Sequence, residues 1–68
     1  GFNISADGRS ITVNGEYDYI EVFSTGGMAV AATEVAPGSY SLGNVPAGVY
    51  IVKVYIDGNV NIMKFVVK

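Results

Sequence analysis

Short runs of apolar residues alternate with polar ones along the whole chain, and turn residues interrupt them about every 8–12 positions. That rhythm predicts antiparallel strands packed as a sandwich or barrel. No segment carries the i, i+3, i+4, i+7 apolar pattern of a helix over three turns. Phe2–Ser5 reads as the first strand, with Phe2 and Ile4 on one face, and Asp7-Gly8 as a tight turn. Arg9–Val13 follows, with Ile11 and Val13 alternating against Ser10 and Thr12, and Asn14-Gly15 is the next turn. In Asp18–Phe23, Glu21 belongs in water, which assigns Ile20 and Val22 to the core and Tyr19, Glu21 and Phe23 to the outer face.

Gly26-Gly27 ends that strand, and Met28–Val35 reads as one strand with Val30 and Ala32 on a common face. Pro37-Gly38 suits the centre of a type II turn, and Tyr40–Leu42 is a short strand closed by Pro46-Ala47-Gly48. Val49–Ile56 is the strongest strand, β-branched or aromatic at every position except Lys53. Lys53 sets its polarity: Tyr50, Val52, Val54 and Ile56 face inward, and Val49, Ile51, Lys53 and Tyr55 outward. Asp57-Gly58 is a hairpin signal, and Val60–Val67 pairs back with Met63, Phe65 and Val67 inward. The count is about seven strands. The expected fold is all-β, a small antiparallel immunoglobulin-like β-sandwich occupying 1–68 as one domain.

At 68 residues the chain has room for one domain only. A chain of this size buries only ~60% of the surface its unfolded form exposes, which fits a module attached to something larger. Half the residues are hydrophobic and 15% are charged, a folded-domain composition. Net charge is −2, and Arg9, Lys53, Lys64 and Lys68 are the basic residues, too few and too scattered for a phosphate backbone. No nucleic-acid partner is expected. There is no cysteine and no histidine, so thiolate chemistry, the commonest general base and the commonest transition-metal ligand are all missing. The longest apolar run is far short of the roughly 20 residues of a membrane helix. No signal peptide is visible, so an exported protein would carry its leader on a preceding segment.

The candidate chemistry is thin. The acids are Asp7, Glu16, Asp18, Glu21, Glu34 and Asp57, distributed over turns and outer faces. A loop calcium site on Glu16 and Asp18 lacks the spacing of an EF-hand loop. None of the serines sits in G-x-S-x-G, and no histidine exists to activate one. Gly26-Gly27 has no helix start behind it and no Walker spacing. The expectation is therefore no enzyme, no metal, no cofactor and no small-molecule substrate. Tyr17, Tyr19 and Tyr55 form a candidate aromatic surface, suited to stacking on sugars or anchoring a protein.

Three segments together resemble a known family. Ile20-Glu21-Val22-Phe23-Ser24-Thr25-Gly26-Gly27-Met28-Ala29-Val30 is similar to the "hydrophobic-E-V-[YF]-x-x-x-G-x-x-V" block of the C-terminal sorting domains of Bacteroidetes type IX secretion. Tyr40–Val54, containing Val45-Pro46-Ala47-Gly48-Val49-Tyr50-Ile51-Val52-Lys53, resembles the family's "L-P-x-G-[VI]-Y" strand entry. Asp57-Gly58 followed by Lys64-Phe65-Val66-Val67-Lys68 looks like its terminal strand. The chain departs from the family in opening Gly1-Phe2-Asn3-Ile4 where Pro-Asn-Pro is usual, and in Thr25 where leucine is common.

The resemblance implies a folded address tag, C-terminal on a covalently linked cargo domain. Such a tag is read by outer-membrane secretion machinery, passes through the periplasm and reaches the cell surface or the medium. Gly27, Val30, Pro46, Gly48, Tyr50 and Lys53 match the motifs and are mostly structural in this reading. Lys64, Phe65, Val66, Val67 and Lys68 are the candidates for recognition. The alternative is a structural, carbohydrate-binding or protein-binding accessory sandwich of a surface protein, with the tyrosines as its working face.

Overall fold

The computed structural model describes residues 3–68 as eight strands in two antiparallel sheets. In chain order these are β1 (Asn3–Asp7), β2 (Ser10–Asn14), β3 (Tyr19–Ser24), β4 (Ala29–Val30), β5 (Thr33–Ala36), β6 (Ser39–Ser41), β7 (Gly48–Ile56) and β8 (Asn59–Val67). One sheet has the order β1-β2-β6-β5 and the other β4-β3-β7-β8. With the strands lettered A, B, C, C′, D, E, F and G, these are ABED and C′CFG. That is the strand arrangement of an immunoglobulin-type sandwich. The inward placement of Phe2 lies outside the described residues.

Alternation builds the core as expected. Ile11 and Val13 from β2, Val22 from β3, Tyr50, Val52 and Val54 from β7, and Phe65 and Val67 from β8 are buried together with Leu42. Ile4, Ile20, Val30, Ala32, Ile56 and Met63 pack half-buried around them. No charged or polar side chain is buried among the described residues, so the core carries no desolvated charge. Arg9 is used at the rim. Its Nε and Nη2 donate to the Val45 carbonyl at 3.0 and 2.8 Å, tying the loop before β7 to the first hairpin.

Turn chemistry sets the register. Asp57 and Gly58 both have positive φ, 50° and 81°, between the paired residues Ile56 and Asn59. This is the two-residue hairpin whose twist matches its strands. At Pro37-Gly38, Gly38 has φ 76°, and a Cβ there would lie 2.5 Å from the Val13 carbonyl oxygen. The Val13 amide donates to the Gly38 carbonyl at 2.8 Å, so the turn is held against β2. Only glycine fits a position that is both left-handed and this close to backbone.

Met28–Val35, read as one strand, is two strands in opposite sheets. β4 pairs with β3, and β5 pairs with β6. The chain crosses between the sheets at Ala31-Ala32, where small side chains let the backbone turn. The strand count is thus eight rather than seven. Val35, apolar by type, is 65% exposed, because β5 sits at a sheet edge with nothing over it. The short strand predicted at Tyr40–Leu42 sits one residue earlier, and Leu42 is a core residue just past its end.

Candidate functional site

Tyr50 is the first motif residue to place. It is buried, and its ring stacks on Phe65 with centroids 6.0 Å apart. Its hydroxyl donates to the Pro46 carbonyl at 2.6 Å, four residues upstream. This is the tyrosine corner of immunoglobulin-type sandwiches, at the turn from strand E to strand F. Pro46, Gly48 and Tyr50 therefore act together to lock the entry into β7. Gly27 lies in the turn after β3, with φ 88° and its amide donating to the Ser24 carbonyl at 3.0 Å. Val30 pairs with Val22 and packs half-buried on the core. Lys53 lies on the outer face of β7, its Nζ 5.0 Å from the Phe23 ring centroid. Five of the six motif residues thus sit in a turn, the tyrosine corner or the packing around the core, and Lys53 lies on the outer face of β7.

The candidate recognition residues divide by alternation. Phe65 and Val67 are core residues, buried to 7% and 1% exposure, so no partner reaches them in the folded domain. Lys64, Val66 and Lys68 are exposed. Val60 and Ile62 join them on the same face of β8, at 46% and 61% exposure. The hydrophobic alternation of the last strand already separates the two sets.

β8 is the edge of its sheet, and it is the longest edge strand among the described residues. Its register with β7 runs unbroken from Asn59 to Val67, with no bulge and no proline. The hydrogen-bonding phase follows from the turn. A two-residue hairpin makes Ile56 and Asn59 a hydrogen-bonded pair, and pairs alternate from there. The phase agrees with the far side of the sheet, where the Ser24 amide bonds the Met28 carbonyl. Asn59, Asn61, Met63, Phe65 and Val67 therefore bond β7. Val60, Ile62, Lys64 and Val66 turn their N–H and C=O groups to the open edge. The other three edges are shorter: β4 has two residues, β5 has four and a register shift between Glu34 and Ala36, and β1 has five.

The aromatic surface is smaller than expected. Tyr19 and Tyr55 stack on each other, centroids 4.4 Å apart and 12° between planes, so each ring uses one face on the other. The Tyr55 hydroxyl donates to Glu21 Oε1 at 2.6 Å. That bond to the carboxylate, with lesser help from burial, pushes the Tyr55 hydroxyl up to about 12. Tyr17 does not join them. It packs half-buried against the core, and its hydroxyl pairs with that of Tyr40 at 2.5 Å. It precedes β3 in a loop, where alternation assigns no face.

Tyr17 and Tyr40 line an open groove of about 490 Å³ with Asn14, Asp18, Glu34 and Gly38. Its polar groups already serve the fold. Glu34 Oε2 accepts the Gly38 amide at 3.1 Å, Asp18 Oδ2 accepts the Asp57 amide at 3.0 Å, and Asn14 Nδ2 donates to Asn3 Oδ1 at 3.1 Å. Burial first, then the bond to Tyr17, holds the Tyr40 hydroxyl well above the usual phenol range. A hydroxyl so held keeps its proton, the opposite of what a nucleophile or base requires. No group of three or more metal-ligating side chains comes together among the described residues. Among the described residues, the outer face of β8 carries three of the exposed large apolar side chains, Val60, Ile62 and Val66, beside a long free backbone edge.

No protein-family profile, curated protein or solved structure matches this chain.

Proposed function

We propose that this chain is a non-catalytic sorting domain of type IX secretion, read by outer-membrane export machinery through β8 while joined to an exported cargo. The observation that carries the reading is the long, unbroken β8 edge with Lys64, Val66 and Lys68 exposed beside it. The family-like segments fall on β3–β4, the tyrosine corner with β7, and β8, so their order in sequence is an order of structural roles. An address tag needs a stable scaffold and one surface that a receptor can engage, and an open strand edge supplies such a surface by strand addition. The domain has no chemistry to perform in this reading. Its destination follows from the cargo's: the periplasm in transit, then the cell surface or medium.

The test fuses Gly1–Lys68 behind an exported fluorescent protein in a Bacteroidetes host with an intact type IX apparatus. Deleting the last strand is a poor control, because Phe65 and Val67 are core residues and their loss unfolds the domain. Lys64→Glu with Lys68→Glu changes only exposed positions. The wild-type fusion is expected outside the cell, and the folded double variant in the periplasm. A wild-type fusion that stays in the periplasm while folded removes the sorting reading and leaves the accessory-module reading in its place.

A further inference from the structure

We infer that β8 pairs antiparallel with β8 of a second copy of this chain, joining two four-stranded sheets into one continuous sheet across a two-fold axis at Met63. The inference rests on the edge itself and does not depend on the sorting reading. Only Val60, Ile62, Lys64 and Val66 present free backbone groups, so only registers that pair these with one another form hydrogen bonds. Centring the axis on Lys64 sets two lysines directly opposite, which is unfavourable. Centring it on Ile62 leaves Val66 opposite the Gly58 turn and unpaired. With the axis at Met63, Val60 meets Val66 of the second copy, Ile62 meets its Lys64, and all four free residues pair.

The side chains agree with that register. Within one copy, Tyr19, Tyr55 and Val60 form a row across the outer face, and Val49 and Val66 form another. Pairing at Met63 places one copy's row end to end with the other's, giving Tyr19, Tyr55, Val60, then Val66 and Val49 of the second copy. Each Lys64 stands between its own Ile51 and the second copy's Ile62, diagonal to the other lysine rather than directly opposite it. Extending the register by two positions brings Lys68 of one copy opposite Gly58 of the other, beside the exposed carboxylate of Asp57. The edge is thus complementary to itself in hydrogen-bond register and, at its two ends, in charge, as a two-fold contact requires. A second copy and a strand-adding receptor compete for the same edge.

Sedimentation equilibrium on the purified chain tests this. The mass is expected to climb from 7.1 kDa toward twice that value with rising concentration. Ile62→Lys, at an exposed position, sets a lysine against Lys64 of the other copy twice per dimer and is expected to hold the chain monomeric. Val66→Lys, at the far end of the edge, tests the same contact should the first variant fold poorly. Ile62→Lys with Lys64→Glu replaces repulsion by attraction and is expected to restore the dimer. A wild-type chain that stays monomeric to millimolar concentration overturns the inference. So does a folded lysine variant that dimerises as readily as wild type.

Discussion

The Tyr50 hydroxyl, part-buried and bonded to the Pro46 carbonyl, fixes how the chain enters its central strand. Tyr50→Phe keeps the ring on Phe65 and removes the bond to Pro46. The expected cost is about 1 kcal/mol, read as a lower urea midpoint with unchanged slope. A domain of this size is stabilised by only ~3–10 kcal/mol, so the shift is readily seen. The corner was half legible: Pro46-Ala47-Gly48-Val49-Tyr50 stands out as a motif, but nothing in the letters says that the hydroxyl returns to Pro46. Tyr55 makes a second prediction. Its folded-state value is raised to about 12 from an ordinary value of 10.0. The folded chain therefore holds this proton more tightly than the unfolded one. That contribution is complete below about pH 10 and is lost as pH climbs through 12. A phenolate absorbance titration is expected to show a tyrosine ionising near 12, and Glu21→Ala to move it back toward 10.

At the scale of elements, β7 and β8 were legible because a single charge set the phase of each. Lys53 in one and Lys64 in the other have to face water, and alternation then places every neighbour. Met28–Val35 offered no such marker until Glu34, and its alanines carry little preference for either face. Its division between two sheets was therefore invisible. Two valines separate these cases experimentally. Val52, fully buried at the centre of β7, is expected to cost about 2–3 kcal/mol as Val52→Ala through lost packing and a residual cavity. Val35, exposed on β5, is expected to change stability by no more than ~0.5 kcal/mol as Val35→Ala. Comparable losses at both sites in urea unfolding would contradict the assignment of β5 to an uncovered edge.

For the whole molecule, the candidate site follows from topology rather than from any residue type. The sequence placed Lys64–Lys68 on one strand, but only the strand order makes that strand an edge. Only the Asp57-Gly58 hairpin then decides which of its residues turn their backbones outward. Tyr17 illustrates the converse, a residue whose chemistry looked suited to a surface and whose loop folds it against Tyr40. Both the sorting proposal and the paired-sheet inference need β8 to be open in the single chain, with one phase of hydrogen bonding. Amide hydrogen exchange, resolved by residue and run at low protein concentration, tests that claim most directly. Val60, Ile62, Lys64 and Val66 are expected to exchange quickly, and Asn61, Met63, Phe65 and Val67 slowly. Equal protection of both sets in the dilute chain, or the opposite alternation, would contradict the account.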